Sequence, residues 1–245
     1  MAIITISRQL AAGGSEVASG VAKALGLRII DRETIDQAAM ECGVPEIALH
    51  ELGYEGRRGL MQRILDALKT SPAIPTINEM QRRESIGPLA MPPRGIFTPA
   101  MPLLSAAMEE YVRMVGLVIQ NMAKEANVLI VGRASQMLLR DNPDALHVQV
   151  VAPLSTRVQK LMCLEGLNQR EATQRILASD GARAEYLRRY YGVNWLDPQL
   201  YDLVINTGQI TIQTAVQLVV MTQVQRLIPQ APPAASTEPE RGARR

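Results

Sequence analysis

With 245 residues and 47% hydrophobic content, the chain can bury a sizeable core and fits one large α/β domain or one domain with an inserted lid, at roughly 100–200 residues per domain. Aromatics make up only 3%, so that core has to be Leu, Ile, Val, Ala and Met. A net charge of +2 is too small to argue for nucleic acid. Charges interrupt every apolar run below membrane-spanning length, and no basic segment leads into a long apolar one at the N-terminus, which predicts a soluble cytoplasmic protein without a membrane partner.

The first stretch, residues 3–23, organises the rest. Ile3, Ile4 and Ile6 form a short β-branched apolar run, as a buried strand does. Ser7, Arg8 and Gln9 lead into a small-residue turn from Ala11 to Ser15 that contains Gly13 and Gly14, and a helical pattern with Val17, Val21 and Ala24 follows. A strand entering a glycine turn that opens a helix can hold a phosphate through free backbone N–H groups and the helix dipole. Against the phosphate-loop signature G-x-x-x-x-G-K-[ST], Arg8 stands at the first glycine, Gly13 at the second, Gly14 at the lysine and Ser15 at the metal-binding hydroxyl. The same glycines would also suit a closely packed strand–helix junction with no ligand.

Downstream, Leu27–Ile30 reads as a second strand, with Asp31 at its end either capping the next helix or facing a ligand. Two short helices are expected over 44–69. From Ser71 to Pro102 seven prolines forbid a long helix or central strand, and Arg82, Arg83 and Arg94 make this stretch a candidate arm. A helix over Leu103–Ala126, favoured as core over a dimer face, leads to a strand at Val128–Val131, closed by Gly132 and Arg133. A strand at Leu146–Val151 passes into a helix around Val158 and Leu161, with Arg157 near its start. Asn168 and Glu171 form a capping-box pattern for the next helix. Leu203–Ile205 is the last strand, before a helix with Ile212, Val216 and Val219 on one side. The residues beyond Ile228 read as a disordered tail.

Cys42 and Cys163 lie far apart in helical patterns without C-x-x-C spacing, which predicts buried free thiols in a reducing compartment. His50 and His147 are the only histidines, so a structural zinc site is not expected. Short strands alternating with helices predict a five-stranded, mainly parallel sheet with right-handed crossovers. At its carboxyl edge, charged groups recur: Arg8, Asp31 and Arg133 each follow a strand. Asp180, Arg183, Arg188 and Arg189 gather on one later helix. Asp180 and Arg183 could simply be a surface ion pair, but several arginines over an anion-binding turn suit phosphoryl transfer.

Residues 2–225, apart from the proline-rich middle, resemble the cytidylate-kinase-like branch of the nucleoside monophosphate kinases. ITISRQLAAGGSEVASGVAKALG is similar to the lysine-less phosphate loop of that branch. IVGRASQMLLRDNPDALHVQVVAPLSTRVQKL resembles its glycine–arginine turn, strand and helix, and DGARAEYLRRYYGVNWLDPQLYDLVINTGQITIQTAVQLV its lid, closing strand and helix. The resemblance implies a P-loop-type α/β fold over 1–227, with a substrate arm at about 44–105, an arginine-bearing lid at about 166–198 and a tail at 228–245. It implies ATP with Mg²⁺ as donor and CMP or dCMP as acceptor. Arg8, Ala12, Gly13, Gly14, Ser15 and Glu16 would then surround the donor phosphates, with Ser15 toward Mg²⁺. Asp31, Arg133 and Arg189 would face the acceptor, and Arg183, Arg188 and Asp180 would close over the transferred group.

Three departures accompany the resemblance. Gly14 replaces the loop lysine, Glu16 puts a negative charge beside the loop, and Ala134 stands where those kinases carry an aspartate. Arg8 is a candidate for the missing positive charge. A nucleotide binder without efficient transfer is the alternative reading, and an interaction protein using its proline- and methionine-rich middle is a third. The oligomeric state is either monomer or homodimer.

Overall fold

The computed structural model describes residues 2–44, 100–125 and 127–227, with the side chains of 100–108 left aside. The two short helices expected over 44–69, nearly all of the expected arm and the expected tail lie outside these residues.

The chain runs β1 (Ile3–Arg8), α1 (Gly14–Leu25), β2 (Arg28–Ile30) and α2 (Arg32–Glu41), then α3 (Ala100–Lys124), β3 (Val128–Val131) and the short α4 (Ser135–Leu138). It continues through β4 (Ala145–Val151), α5 (Leu154–Glu165), α6 (Gln169–Tyr191), β5 (Leu203–Asn206) and α7 (Ile212–Leu227). All five expected strands are present. They form one parallel sheet in the order β2-β3-β1-β4-β5. β1 is central, with Ile3 in register with Val128 on one side and Ala145 on the other. Burial on both faces explains its continuous apolar run.

Alternate residues feed two cores. Ile4, Ile6, Leu129, Val131, Leu146, Val148 and Val150 pack with Val17 and Val21 of α1 and with Ala215 and Val219 of α7. On the opposite face, Ile3, Ile30, Val128 and Ile130 pack with Ile35 and Ala39 of α2 and with Val115, Ile119 and Ala123 of α3. Helix α3 is therefore core, as expected. It begins three residues before the expected Leu103 and takes Pro102 into its first turn, where the missing N–H has no intrahelical partner to lose. The capping box of α6 forms as read: Asn168 Oδ1 accepts from Glu171 N, and Glu171 Oε2 accepts from Asn168 N.

The thiols correct an expectation. Both cysteines are free, but both are exposed. Cys42 caps the C-terminus of α2 beyond its last buried residue, and Cys163 faces away from the Val158 and Leu161 side of α5.

His147 is buried in β4, its Nδ1 2.8 Å from Thr5 Oγ1 across the β1–β4 register. Burial holds its pKa below the ordinary 6.5; Asp202 opposes this and Arg226 adds to it. Below about pH 6.5 the unfolded chain therefore binds a proton that the folded chain refuses. Stability is expected to be fully present above that pH and to fall as the pH drops through the folded value. Urea midpoints recorded from pH 8 to pH 5 check this, and His147→Gln should flatten that part of the curve.

Candidate functional site

The carboxyl edge of the sheet is where the predicted groups converge. β1 ends at Arg8 and α1 begins at Gly14, and the turn between them is fixed from several sides. Gln9 N donates to Val150 O (3.0 Å), and the Gln9 side chain accepts from Ala152 N (3.1 Å). Thr207 Oγ1 donates to Ala12 O (2.6 Å). Leu10 is held at both backbone atoms: its N–H donates to Asp180 Oδ1 (3.0 Å), and its carbonyl accepts from Arg157 Nη1 (3.2 Å). This fastening keeps Ala11 at φ 61°, a left-handed conformation that costs a non-glycine residue about 1–2 kcal/mol. Gly13, at φ 82°, caps α1 without a side-chain hydrogen bond, so no capping side chain occupies the first-turn N–H groups, a position suited to an anion. Ser15 and Glu16 are exposed there.

The Arg8 side chain takes an unforeseen path. A Cβ on Gly14 would meet its Cγ at 2.8 Å and its Cβ closer still. A Cβ on Gly132 would meet its Nη1 at 2.5 Å. Two glycines from two different turns thus form the walls along which Arg8 runs. Its guanidinium reaches the turn after β3.

That second turn holds Gly132, Arg133 and Ala134 at φ 81°, 54° and 54°. Three consecutive left-handed residues swing the Arg133 side chain under the surface, where it is 5% exposed. One Nη pairs with Asp36, which also accepts from Arg32 Nε at 3.3 Å. Arg133 Nε and Nη1 have no hydrogen-bond partner among the described residues. Burial lowers the guanidinium pKa and Asp36 opposes that effect; arginine stays charged. Burial, above all, pushes the nearby Tyr186 phenol far up, so it remains a neutral hydroxyl. Asp31 is exposed and engaged as a cap, accepting from Thr34 N at 2.9 Å and Thr34 Oγ1 at 2.8 Å.

Helix α6 crosses the same edge. Asp180 is no simple surface partner of Arg183, which it meets at 3.5 Å. It accepts from the buried Arg157 at 2.6 Å while binding Leu10 N, so it ties α6 to α5 and to the loop. Arg157 also donates through Nε to Ala152 O (2.9 Å). Arg183 donates to Ser179 Oγ (2.6 Å) as well. Among the described residues, Arg188 and Arg189 make no hydrogen bond to the loop. Arg188 is exposed and pairs with Glu185 (2.7 Å). Arg189 lies over the Tyr190 ring, 5.4 Å from its centroid, and lines a cavity of about 430 Å³ with Glu109, Val112, Gly116 and Leu138.

Sequence reasoning missed Lys160, whose Nζ pairs with Glu16 and would lie 3.4 Å from a Cβ on Gly13. Its spacing of three from Arg157 was the available signal, since it sets both cations on one side of α5. Partial burial works against ionisation of Glu16, but the Lys160 hydrogen bond and charge, with the helix backbone, hold its carboxyl below the usual range. Asp36 was also missed; its signal was the i, i+4 spacing from Arg32.

A model of the cytidylate kinase-like family matches residues 3–209. Among curated proteins, a cytidylate kinase of Pyrococcus horikoshii is 32% identical over 87 residues, 36% of this chain and 44% of that protein. A uronate isomerase of Corynebacterium glutamicum is 34% identical over 98 residues, 40% of this chain but 19% of that protein. The chain thus spans less than half the length of either relative. An uncharacterized protein from Eubacterium ventriosum, solved by crystallography, has the same fold, with a TM-score of 0.61 at 19% identity over 91% of this chain and 98% of that one. Among the described residues, no helix is long and apolar enough to cross a membrane.

Proposed function

The chain belongs to the cytidylate kinase-like family, and on that footing we propose that it transfers the γ-phosphoryl group of ATP to a nucleoside monophosphate, with CMP or dCMP the favoured acceptor. One observation supports this above the others. A fastened loop with open N–H groups and a buried arginine with two unpartnered nitrogens stand side by side at one sheet edge, joined by the Arg8 side chain. An acceptor phosphate needs no strong general base, because it is already a nucleophile; positioning and charge stabilisation are the protein's share.

In this reading Ala12, Gly13, Gly14 and Ser15 hold the donor phosphates, for which the uncapped first turn of α1 is suited. The exposed Ser15 hydroxyl, together with the phosphates, would hold Mg²⁺, an ion that favours phosphate oxygens and water over an all-protein cage. Mg²⁺, when bound, supplies charge neutralisation at the phosphates. Arg133 orients the acceptor phosphate, with Asp31 and Arg189 on the acceptor side. Arg183, tethered to the loop through Asp180, closes over the transferred group, and Arg188 joins it from farther along α6. Residues 166–198 act as the lid, and a cytoplasmic location suits a donor such as ATP.

The reading is tested by ADP release with ATP–Mg²⁺ against a panel of monophosphates. Turnover with CMP or dCMP is expected, and Arg183→Ala should lower kcat by about 10²–10³-fold. Gly14 at the lysine position favours a second reading, a nucleotide binder without transfer. No turnover with any acceptor, alongside thermal stabilisation by ATP–Mg²⁺, would establish that alternative.

A further inference from the structure

A lysine at position 14 would require the Arg8 side chain to shift. The Arg8 side chain fills the space that any Cβ there would need, and Arg8 itself leads away to Gly132. The cation found beside the loop comes instead from another element. Lys160 projects from α5 so that its Nζ lies next to Gly13, the residue that caps α1, and it pairs with Glu16 in the first turn of that helix. The Lys160 side chain is 32% exposed and that of Glu16 50%, so the pair is open to exchange with a solute anion. Such exposed pairs contribute little to stability. Arg157, one turn earlier on α5, is anchored to Ala152, Leu10 and Asp180, which fixes the helix that presents Lys160.

We propose that Lys160 is the polyphosphate-binding cation of this loop, supplied from α5 in place of a lysine at position 14, and that Glu16 holds it until the phosphate chain of a nucleoside triphosphate displaces the carboxylate. This rests on the phosphate-loop reading above. Lysine serves as a compact point charge whose three donors can move from carboxylate to phosphate without a change of helix position. Glu16 competes with the ligand for that charge. Its removal should therefore strengthen binding, the opposite of the effect expected if the pair were merely a strut between α1 and α5.

Calorimetric titration of the full chain with ATP–Mg²⁺ and, separately, with inorganic tripolyphosphate tests this. Lys160→Met is expected to weaken both ligands by roughly 10–100-fold. Lys160→Arg should recover most of that loss, and Glu16→Gln should tighten binding by a few-fold. Binding to Lys160→Met that equals wild type would overturn the inference while leaving the phosphate loop intact. If Lys160→Met fails to fold, Glu16→Gln decides: unchanged or weaker binding overturns the exchange. Wild type that binds neither ligand would overturn the phosphate-loop reading together with the inference.

Discussion

Asp180→Ala is expected to cost about 3–5 kcal/mol of folding stability, because it leaves a buried cation without its counter-charge. Arg157 and Asp180 have side chains 6% and 14% exposed and meet at 2.6 Å. The carboxylate also satisfies Leu10 N, so its loss leaves a backbone donor in the loop unpaired. Ala11 would lose one of the restraints that hold it left-handed. Chemical denaturation should show the midpoint falling with an unchanged m-value. Asp180→Asn keeps an acceptor for Leu10 but removes the charge, and an intermediate loss is expected. If both variants stayed within about 0.5 kcal/mol of wild type, Asp180 would have no part in holding the loop.

Arg133→Met should show the reverse profile. Asp36 keeps Arg32 as a partner, and two buried nitrogens without hydrogen bonds disappear, so stability is expected to change by less than about 1 kcal/mol. On the proposed acceptor role of Arg133, kcat/KM for the monophosphate should fall by about 10²-fold or more, because the charge-assisted contact proposed for its two unpartnered nitrogens would be lost. ATP affinity, read by titration without acceptor, should stay close to wild type. A stability loss as large as that of Asp180→Ala would instead mark Arg133 as a structural residue.

The parts of the fold visible in the sequence are those governed by local pattern. β-branched runs of four to six residues mark strands buried on both faces. Asp31 with Thr34 and Asn168 with Glu171 are caps whose partners lie three residues away. Arg8 and Arg133 stood out as candidates because each follows a strand at the edge where α/β sheets bind ligands. What escaped depends on tertiary meetings. Lys160 and Glu16 lie 144 residues apart, and no spacing rule links them. Asp180 pairs with Arg183 as its spacing suggested, but its closer partners, Leu10 and Arg157, are brought to it by the crossing of α6. The exposure of Cys163 turns on which face of α5 packs inward, and the apolar run Leu161, Met162, Cys163 and Leu164 near its end leaves that choice to its neighbours.

The strand order also governs how the chain comes into being. β1 lies between β3 and β4, and the contact from Ala2 to Asn127 spans 125 residues of sequence. At about 5–20 residues per second of synthesis, the run IITIS waits on the order of 6–25 s before its first pairing strand exists. Throughout that interval the central strand of the sheet has no pairing strand beside it and is open to other chains or to a chaperone. Slow nucleation, and refolding that improves with dilution or a chaperone, are therefore expected from placing β1 at the centre of the sheet.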